Sequence, residues 1–316
     1  MKLFVSRLLP IELLRPAVDA GCSVDMYEND SPCPRDEFVR RCRSVEALLV
    51  QASDRIDAEI YQVAPQLRVV ACCSVGYDNI DVDAANSNGV IICNSPAPDL
   101  IATTAEAAVA LLLSVAKRVT RLHLAQQDND LPPYSIMHPM GVPIRDRVSG
   151  IVGMGRIGSE IARIMQRGFS NSILYYGRSA RTELEQSLRA RRRSLEELLA
   201  ESDFVFVVVP LTAETRNLLS RQALKHLRQD SIVVNVSRAG VVDDRALTNM
   251  LSAGRIFGAG LDVYGVDAAK CQHPNLILTA HMANGEDRAM KATVELAVRN
   301  IVAVLQDESP LTPVTP

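Results

Sequence analysis

The sequence predicts an α/β protein of two doubly wound parallel-sheet domains. Three observations carry that expectation. Short apolar runs alternate with helical patterns from end to end; the runs are rich in Val and Ile with little polar alternation; and they fall into two series with a long apolar helical stretch between them. Alternating strand and helix is the pattern of βαβ units, and strands apolar throughout are strands covered on both faces. A length of 316 residues is enough for two domains, each with its own core.

The first series places strands at 3–5, 23–27, 47–50, 67–73 and 90–93. The second places them at 148–152, 173–176, 204–209, 232–236, 259–264 and 276–279. Residues 101–119 are apolar nearly all round for three turns and predict a buried helix, with Thr103 and Thr104 as caps for its start. Residues 128–143 collect Pro, Asp, Asn and His with neither period and predict a loop. The last helical pattern, Asp287–Leu305, is expected to pack back onto the first domain.

Composition narrows the function classes. Apolar residues make up 47% of the chain, too many for a mainly disordered protein, and a formal charge of −3 offers no general basic field for nucleic acid or membrane. Arg7 and Pro10 interrupt the first apolar run too early for a secretory signal. The longest apolar stretch, 107–116, falls short of the roughly 20 residues that cross a bilayer. A cytoplasmic protein with a small-molecule partner is therefore expected. The basic run 189–193 reads as a solvated face ahead of a helix. Seven cysteines, at 22, 33, 42, 72, 73, 93 and 271, form no CxxC pair and read as buried free thiols, with no metal site implied.

The sequence GMGRIG at 153–158 follows a strand directly and opens a helical pattern. In that context Gly153 makes the tight turn, Gly155 admits a pyrophosphate and Gly158 lets helix approach strand. The helix start at Arg156 and Ile157 then offers free N–H groups to phosphates. At the end of the next strand a carboxylate would bind the ribose 2′-hydroxyl of NAD, but Gly177 stands there, followed by Arg178, Ser179 and Arg181. A guanidinium fork matches phosphate geometry. NADP(H) is the preferred coenzyme on this reading, with NAD(H) as the alternative.

Arg238, the acids after Leu261, and His281 lie at the carboxyl ends of expected strands, where open α/β sheets bind ligands. Together with SVGYD at 74–78, NSP at 94–96, TAE at 104–106, VPLTAET at 209–215, NVSR at 235–238 and GAGLD at 258–262, these motifs make the chain resemble the D-2-hydroxyacid dehydrogenase family, on the side of the NADP-dependent glyoxylate and hydroxypyruvate reductases. The resemblance implies a flavodoxin-like substrate domain (1–95 plus 286–316) and a Rossmann coenzyme domain (96–285). It implies that Arg238 holds the substrate carboxylate and carbonyl oxygen, that His281 is the acid–base histidine, and that Val75 and Gly76 bind the carboxylate through their N–H groups. Asp262, Thr104, Pro210, Thr215 and Val236 match coenzyme contacts. The histidine's usual partner, a glutamate, corresponds to Asp267, one methylene shorter. A homodimer formed around 101–143 is also implied.

A keto acid needs a fixed cation for its carboxylate and a proton donor at its carbonyl oxygen, and an arginine and a histidine at one sheet rim meet both needs. Gln51, Ala52 and Ser53, after the third strand, favour a small polar keto acid. His123, His138, His226 and His273 fall outside every motif and read as surface or loop residues. Two alternatives stay open at this point: an enzyme weakened by the change at Asp267, and a nucleotide-sensing binding protein of the same fold.

Overall fold

A computed structural model describes residues 1–130, 136 and 140–314. It divides into two compact units, one formed by Met1–Leu100 with Glu286–Pro316 and the other by Ile101–Gly285.

The first unit holds β1 (Lys2–Val5), β2 (Ser23–Met26), β3 (Ala47–Val50), β4 (Val69–Cys72) and β5 (Ile91–Cys93). All are parallel, in the order β2-β1-β3-β4-β5. Successive side chains of a strand point to opposite faces, so Leu48, Val50, Val70 and Cys72 pack with Phe38, Ile56 and Ile60 on one side. Leu49, Val69 and Ala71 pack on the other with Val294, Ala297, Val298 and Ile301 of the helix Asp287–Leu305. Burial on both faces is why these strands lack polar alternation. Arg68 fastens the end of that helix by donating to the carbonyls of Val304 (2.7 Å) and Leu305 (3.3 Å).

The second unit holds β6 (Val148–Val152), β7 (Ser172–Tyr176), β8 (Arg191–Arg192), β9 (Phe204–Val207), β10 (Ile232–Asn235), β11 (Gly258–Leu261) and β12 (Leu276–Leu278). The order is β12-β11-β10-β9-β6-β7-β8, again parallel throughout. From β6 the chain winds outward through β7 and β8, then returns to β9 and winds the other way. That reversal opens a crevice at the carboxyl ends of β6 and β9, because the crossovers on either side lead away from it.

Four local expectations are corrected. The basic run contains β8, an exposed strand paired to β7, in addition to preceding the helix Leu195–Glu201; two charged residues at a sheet edge have no apolar signature. The long helix starts at Pro98 and runs to Lys117, so Thr103 and Thr104 lie inside it and not at its start. Proline lacks the N–H that a first turn leaves unpaired, which suits it to that start. This helix is long and apolar enough to cross a bilayer by length and composition, although half of its most apolar 18 residues are buried in the protein. Ala105, Ala108, Leu112, Val115 and Ala116 join the core with Ile151, Ile173 and Phe204. At Arg118 the backbone turns left-handed (φ 57°) and an unforeseen helix, Val119–Gln127, follows. His138 and most of the expected loop after residue 130 lie outside the described residues.

None of the seven cysteines is in a disulfide; Cys22, Cys42, Cys72, Cys73 and Cys93 are buried, while Cys33 and Cys271, expected to be buried too, are half-buried. Burial pushes the Cys42 and Cys93 thiols up to about 12, so they act as small apolar side chains.

Candidate active site

The glycine loop joins β6 to the helix Arg156–Phe169. Gly153 has φ 106°, and a Cβ there would sit 2.8 Å from the Val208 carbonyl oxygen. A Cβ on Gly158 would come within 2.1 Å of the Gly153 carbonyl oxygen, so no side chain fits at the helix–strand contact. Above Gly155 nothing lies within 4 Å. The helix has no side-chain cap, and the Ser159 N–H bonds back to the Gly155 carbonyl at 2.9 Å. The N–H groups of Arg156, Ile157 and Gly158 are thereby left for an anion, reinforced by the positive end of a 14-residue helix.

A cavity of about 450 Å³ opens on this loop. Of the expected coenzyme residues, Gly153, Gly155, Arg178, Ser179, Arg181, Pro210 and Thr215 line it, joined by Gly177, Val208, Val209 and Glu214. A Cβ on Gly177 would meet only the Met154 nitrogen, at 4.0 Å, so the end of β7 is open. The Thr215 hydroxyl donates to the Pro210 carbonyl (2.5 Å) and accepts from the Thr212 N–H (2.7 Å), shaping the wall instead of offering a free donor. Glu214 was missed in the sequence, although it stands inside the VPLTAET motif. Hydrogen bonds from the Thr212 hydroxyl and its own N–H hold its carboxyl below the usual range, and nearby Arg178 adds to this. Thr104 and Val236 are buried and do not line the cavity.

Beyond β10 the buried Asn235 builds the turn that carries Arg238. Its carbonyl oxygen accepts from the Ser237 N–H (3.0 Å) and hydroxyl (2.7 Å), while its amide donates to the carbonyls of Arg238 (3.3 Å) and Val263 (3.4 Å). Beyond β11 the carboxylate of Asp262, 2% exposed, gathers three donors: the Thr279 hydroxyl (2.6 Å) and the N–H groups of Met282 (2.8 Å) and Ala283 (2.9 Å). The Asp262 carbonyl accepts the N–H of His281 at 2.9 Å. His281 itself has φ 54°, a left-handed conformation uncommon outside glycine. Asp262 thus fastens the turn that presents the exposed imidazole, and it lines a second, apolar cavity of about 300 Å³ with Leu111, Ile277 and Met282.

Asp267 lies on the short helix Val266–Ala269, is 53% exposed, and forms an ion pair with Arg245 at 3.7 Å. The helix turns the shorter side chain toward solvent and Arg245. His123 and His226 are exposed, and the half-buried His273 accepts the Asn275 N–H through Nδ1 at 3.2 Å.

In the first unit the Ser74 hydroxyl binds the Gly76 carbonyl and the Asn94 amide binds the Val75 carbonyl at 2.7 Å. With both oxygens turned to these groups, the N–H groups of Val75 and Gly76 donate to nothing among the described residues. A buried cluster missed in the sequence supports the neighbouring loop. Asp54 accepts the Ser6 hydroxyl and the Gln51 N–H (2.7 Å) and pairs with Arg7 at 3.3 Å, while the Asn79 amide ties the carbonyls of Gln51 and Asp54.

Residues 109–283 match the model of the D-isomer specific 2-hydroxyacid dehydrogenase NAD binding domain. A glyoxylate reductase of Thermococcus kodakarensis is 38% identical over 322 residues, covering 98% of this chain and 95% of that one. The chain belongs to the D-isomer specific 2-hydroxyacid dehydrogenase family. It is an oxidoreductase that uses a nicotinamide coenzyme. Among solved structures, a Thermus thermophilus protein superposes with a TM-score of 0.91 at 33% identity, each chain covered in full. An NADPH-dependent glyoxylate/hydroxypyruvate reductase from Sinorhizobium meliloti, in complex with NADP and malonate, gives 0.82 at 26% identity, with 99% and 96% covered. The residues present fit a dinucleotide: an uncapped helix start, a glycine loop no side chain could share, and open space above Gly155 and Gly177.

The Asp262 carboxylate is the testable hinge of this dehydrogenase's second unit. Asp262→Asn puts an amide N–H₂ where three donors converge, and a buried donor without an acceptor costs about 1–3 kcal/mol. Thermal melting should show a lower Tm for this variant, with kcat reduced as the His281 turn loosens. An unchanged Tm would mean that the turn does not depend on this carboxylate.

Proposed function

We propose that this dehydrogenase reduces a small 2-keto acid, glyoxylate, hydroxypyruvate or a similar one, to the 2-hydroxy acid, the D-isomer where the product is chiral, with NADPH as the preferred coenzyme. The observation that carries the reading is the turn after β12, where Asp262 holds His281 in a left-handed conformation at the carboxyl rim that also carries Arg238. In this reading Arg238 holds the substrate carboxylate and opposes charge growing on the carbonyl oxygen, and His281 hands that oxygen its proton. The N–H groups of Val75 and Gly76 bind the carboxylate. The bound nicotinamide supplies the hydride. Arg156, Ile157 and Gly158 hold the pyrophosphate, and Arg178, Ser179 and Arg181 hold the ribose end. The names of the reductases similar to this chain support the substrate class.

His281→Ala should lower kcat with glyoxylate by roughly 10²–10⁴, the span expected of a general acid. A near-normal rate would remove His281 from the mechanism. Because Asp267 is exposed and paired with Arg245, Asp267→Asn should leave the apparent pKa of the kcat profile within about 0.3 of the unmodified enzyme. A fall of about one unit would instead give Asp267 the partner role.

The coenzyme preference rests on Gly177, which leaves room and no opposing charge for a 2′-phosphate. The unmodified enzyme should favour NADPH over NADH by at least about tenfold in kcat/KM, as one well-formed charge-assisted contact allows. Gly177→Asp should reverse the order by adding repulsion and a ribose acceptor. Equal efficiencies in the unmodified enzyme would contradict the reading.

Two copies are proposed to associate through the second unit, where Val119, Leu124, Ile136 and Met140 are exposed apolar residues in one stretch of chain. Sedimentation at the mass of a single chain, at micromolar concentration, would contradict this.

A further inference from the structure

Arg192, in the basic run, lies outside every motif named above. β8 pairs with β7 in parallel, Leu174 beside Arg191 and Tyr175 beside Arg192. This register brings the Arg192 side chain to the end of β7, where Nη2 donates to the carbonyls of both Gly177 (2.8 Å) and Arg178 (2.9 Å). Its Nε and Nη1 make no hydrogen bond among the described residues. The far end of the same loop is fastened too: the Arg181 N–H donates to the Tyr175 hydroxyl at 2.9 Å, and that hydroxyl donates to Glu185 at 2.5 Å.

The charges around this loop do not cancel. Arg193 is ion-paired with Glu201 at 2.9 Å, whereas Arg178, Arg181 and Arg192 have no ion pair among the described residues. Two acids face the loop: Glu214 on the cavity wall, whose charge Arg178 already stabilises, and Glu185 on the Tyr175 hydroxyl, against the three guanidiniums. A loop whose carbonyl oxygens would repel an anion therefore has those oxygens covered by a guanidinium. That guanidinium keeps its remaining donors and its full charge beside the open end of β7.

We propose that Arg192 selects the 2′-phosphorylated coenzyme, as a positioning residue that holds the Gly177–Arg178 carbonyls and sets a fixed positive charge beside the ribose pocket. This deepens and rests on the NADPH reading above. The effect is directed at the phosphate alone, because the glycine loop that receives the pyrophosphate lies on β6 and its helix and is not touched by Arg192.

The test uses the full chain and two fragments that undergo no turnover, adenosine 2′,5′-bisphosphate and 5′-AMP, with binding measured by calorimetry. Arg192→Gln keeps an amide donor for a loop carbonyl and removes the charge; Arg192→Lys keeps the charge. Arg192→Gln should weaken the bisphosphate by about five- to tenfold, leave 5′-AMP within about twofold, and flatten the salt dependence of bisphosphate binding. Arg192→Lys should restore most of the loss. Unmodified protein that binds both fragments equally would overturn the NADPH reading and this inference with it. Discrimination undiminished in Arg192→Gln would overturn the inference alone, as would an equal loss of both fragments, which marks a merely structural brace.

Discussion

A parallel strand buried on both faces has nowhere to place a polar side chain except at its ends, and this constraint organises both units. β9 and β10 are buried along their whole length, so side chains capable of chemistry appear in the turns just beyond the strand ends. The reversal of strand order between β6 and β9 adds the second half of the constraint. Crossovers lead away on either side, leaving the cavity that Gly153, Val208 and Pro210 line. A dinucleotide site follows from topology before any particular side chain is considered.

What the rim then needs is rigidity, and buried polar groups supply it. Asn235 and Asp262 are almost fully buried, a costly position unless every lone pair and donor is engaged. Both are engaged, and in each case with the backbone of the turn that carries the next functional residue. The left-handed backbone at His281 costs on the order of 1–2 kcal/mol. Hydrogen bonds from the following two residues to Asp262 offset that cost and hold the turn. Asp54 plays the corresponding part in the first unit, where it ties the ends of β1 and β3.

Much of this was legible in the sequence. The two series of Val- and Ile-rich runs give the two sheets, and GMGRIG between a strand and a helical pattern gives the loop that the Gly153 and Gly158 contacts explain. The failures have physical causes. β8 is two arginines at an edge, with no apolar period to betray it. Thr103 and Thr104 resemble caps, but Pro98 starts the helix earlier. Arg192 looked like one charge among several; only the register of β8 on β7 shows which carbonyls it meets.

In the function proposed above, the coenzyme lies on the carboxyl rim of the seven-stranded sheet, with its ribose end against the loop after β7. Hydrogen–deuterium exchange of the unmodified protein, with and without saturating NADPH, reads this placement out. Slowed exchange is expected at 153–158, 177–181 and 208–215, with the 177–181 segment less protected by NADH. Slowing confined to other segments, with the glycine loop unchanged, would contradict it.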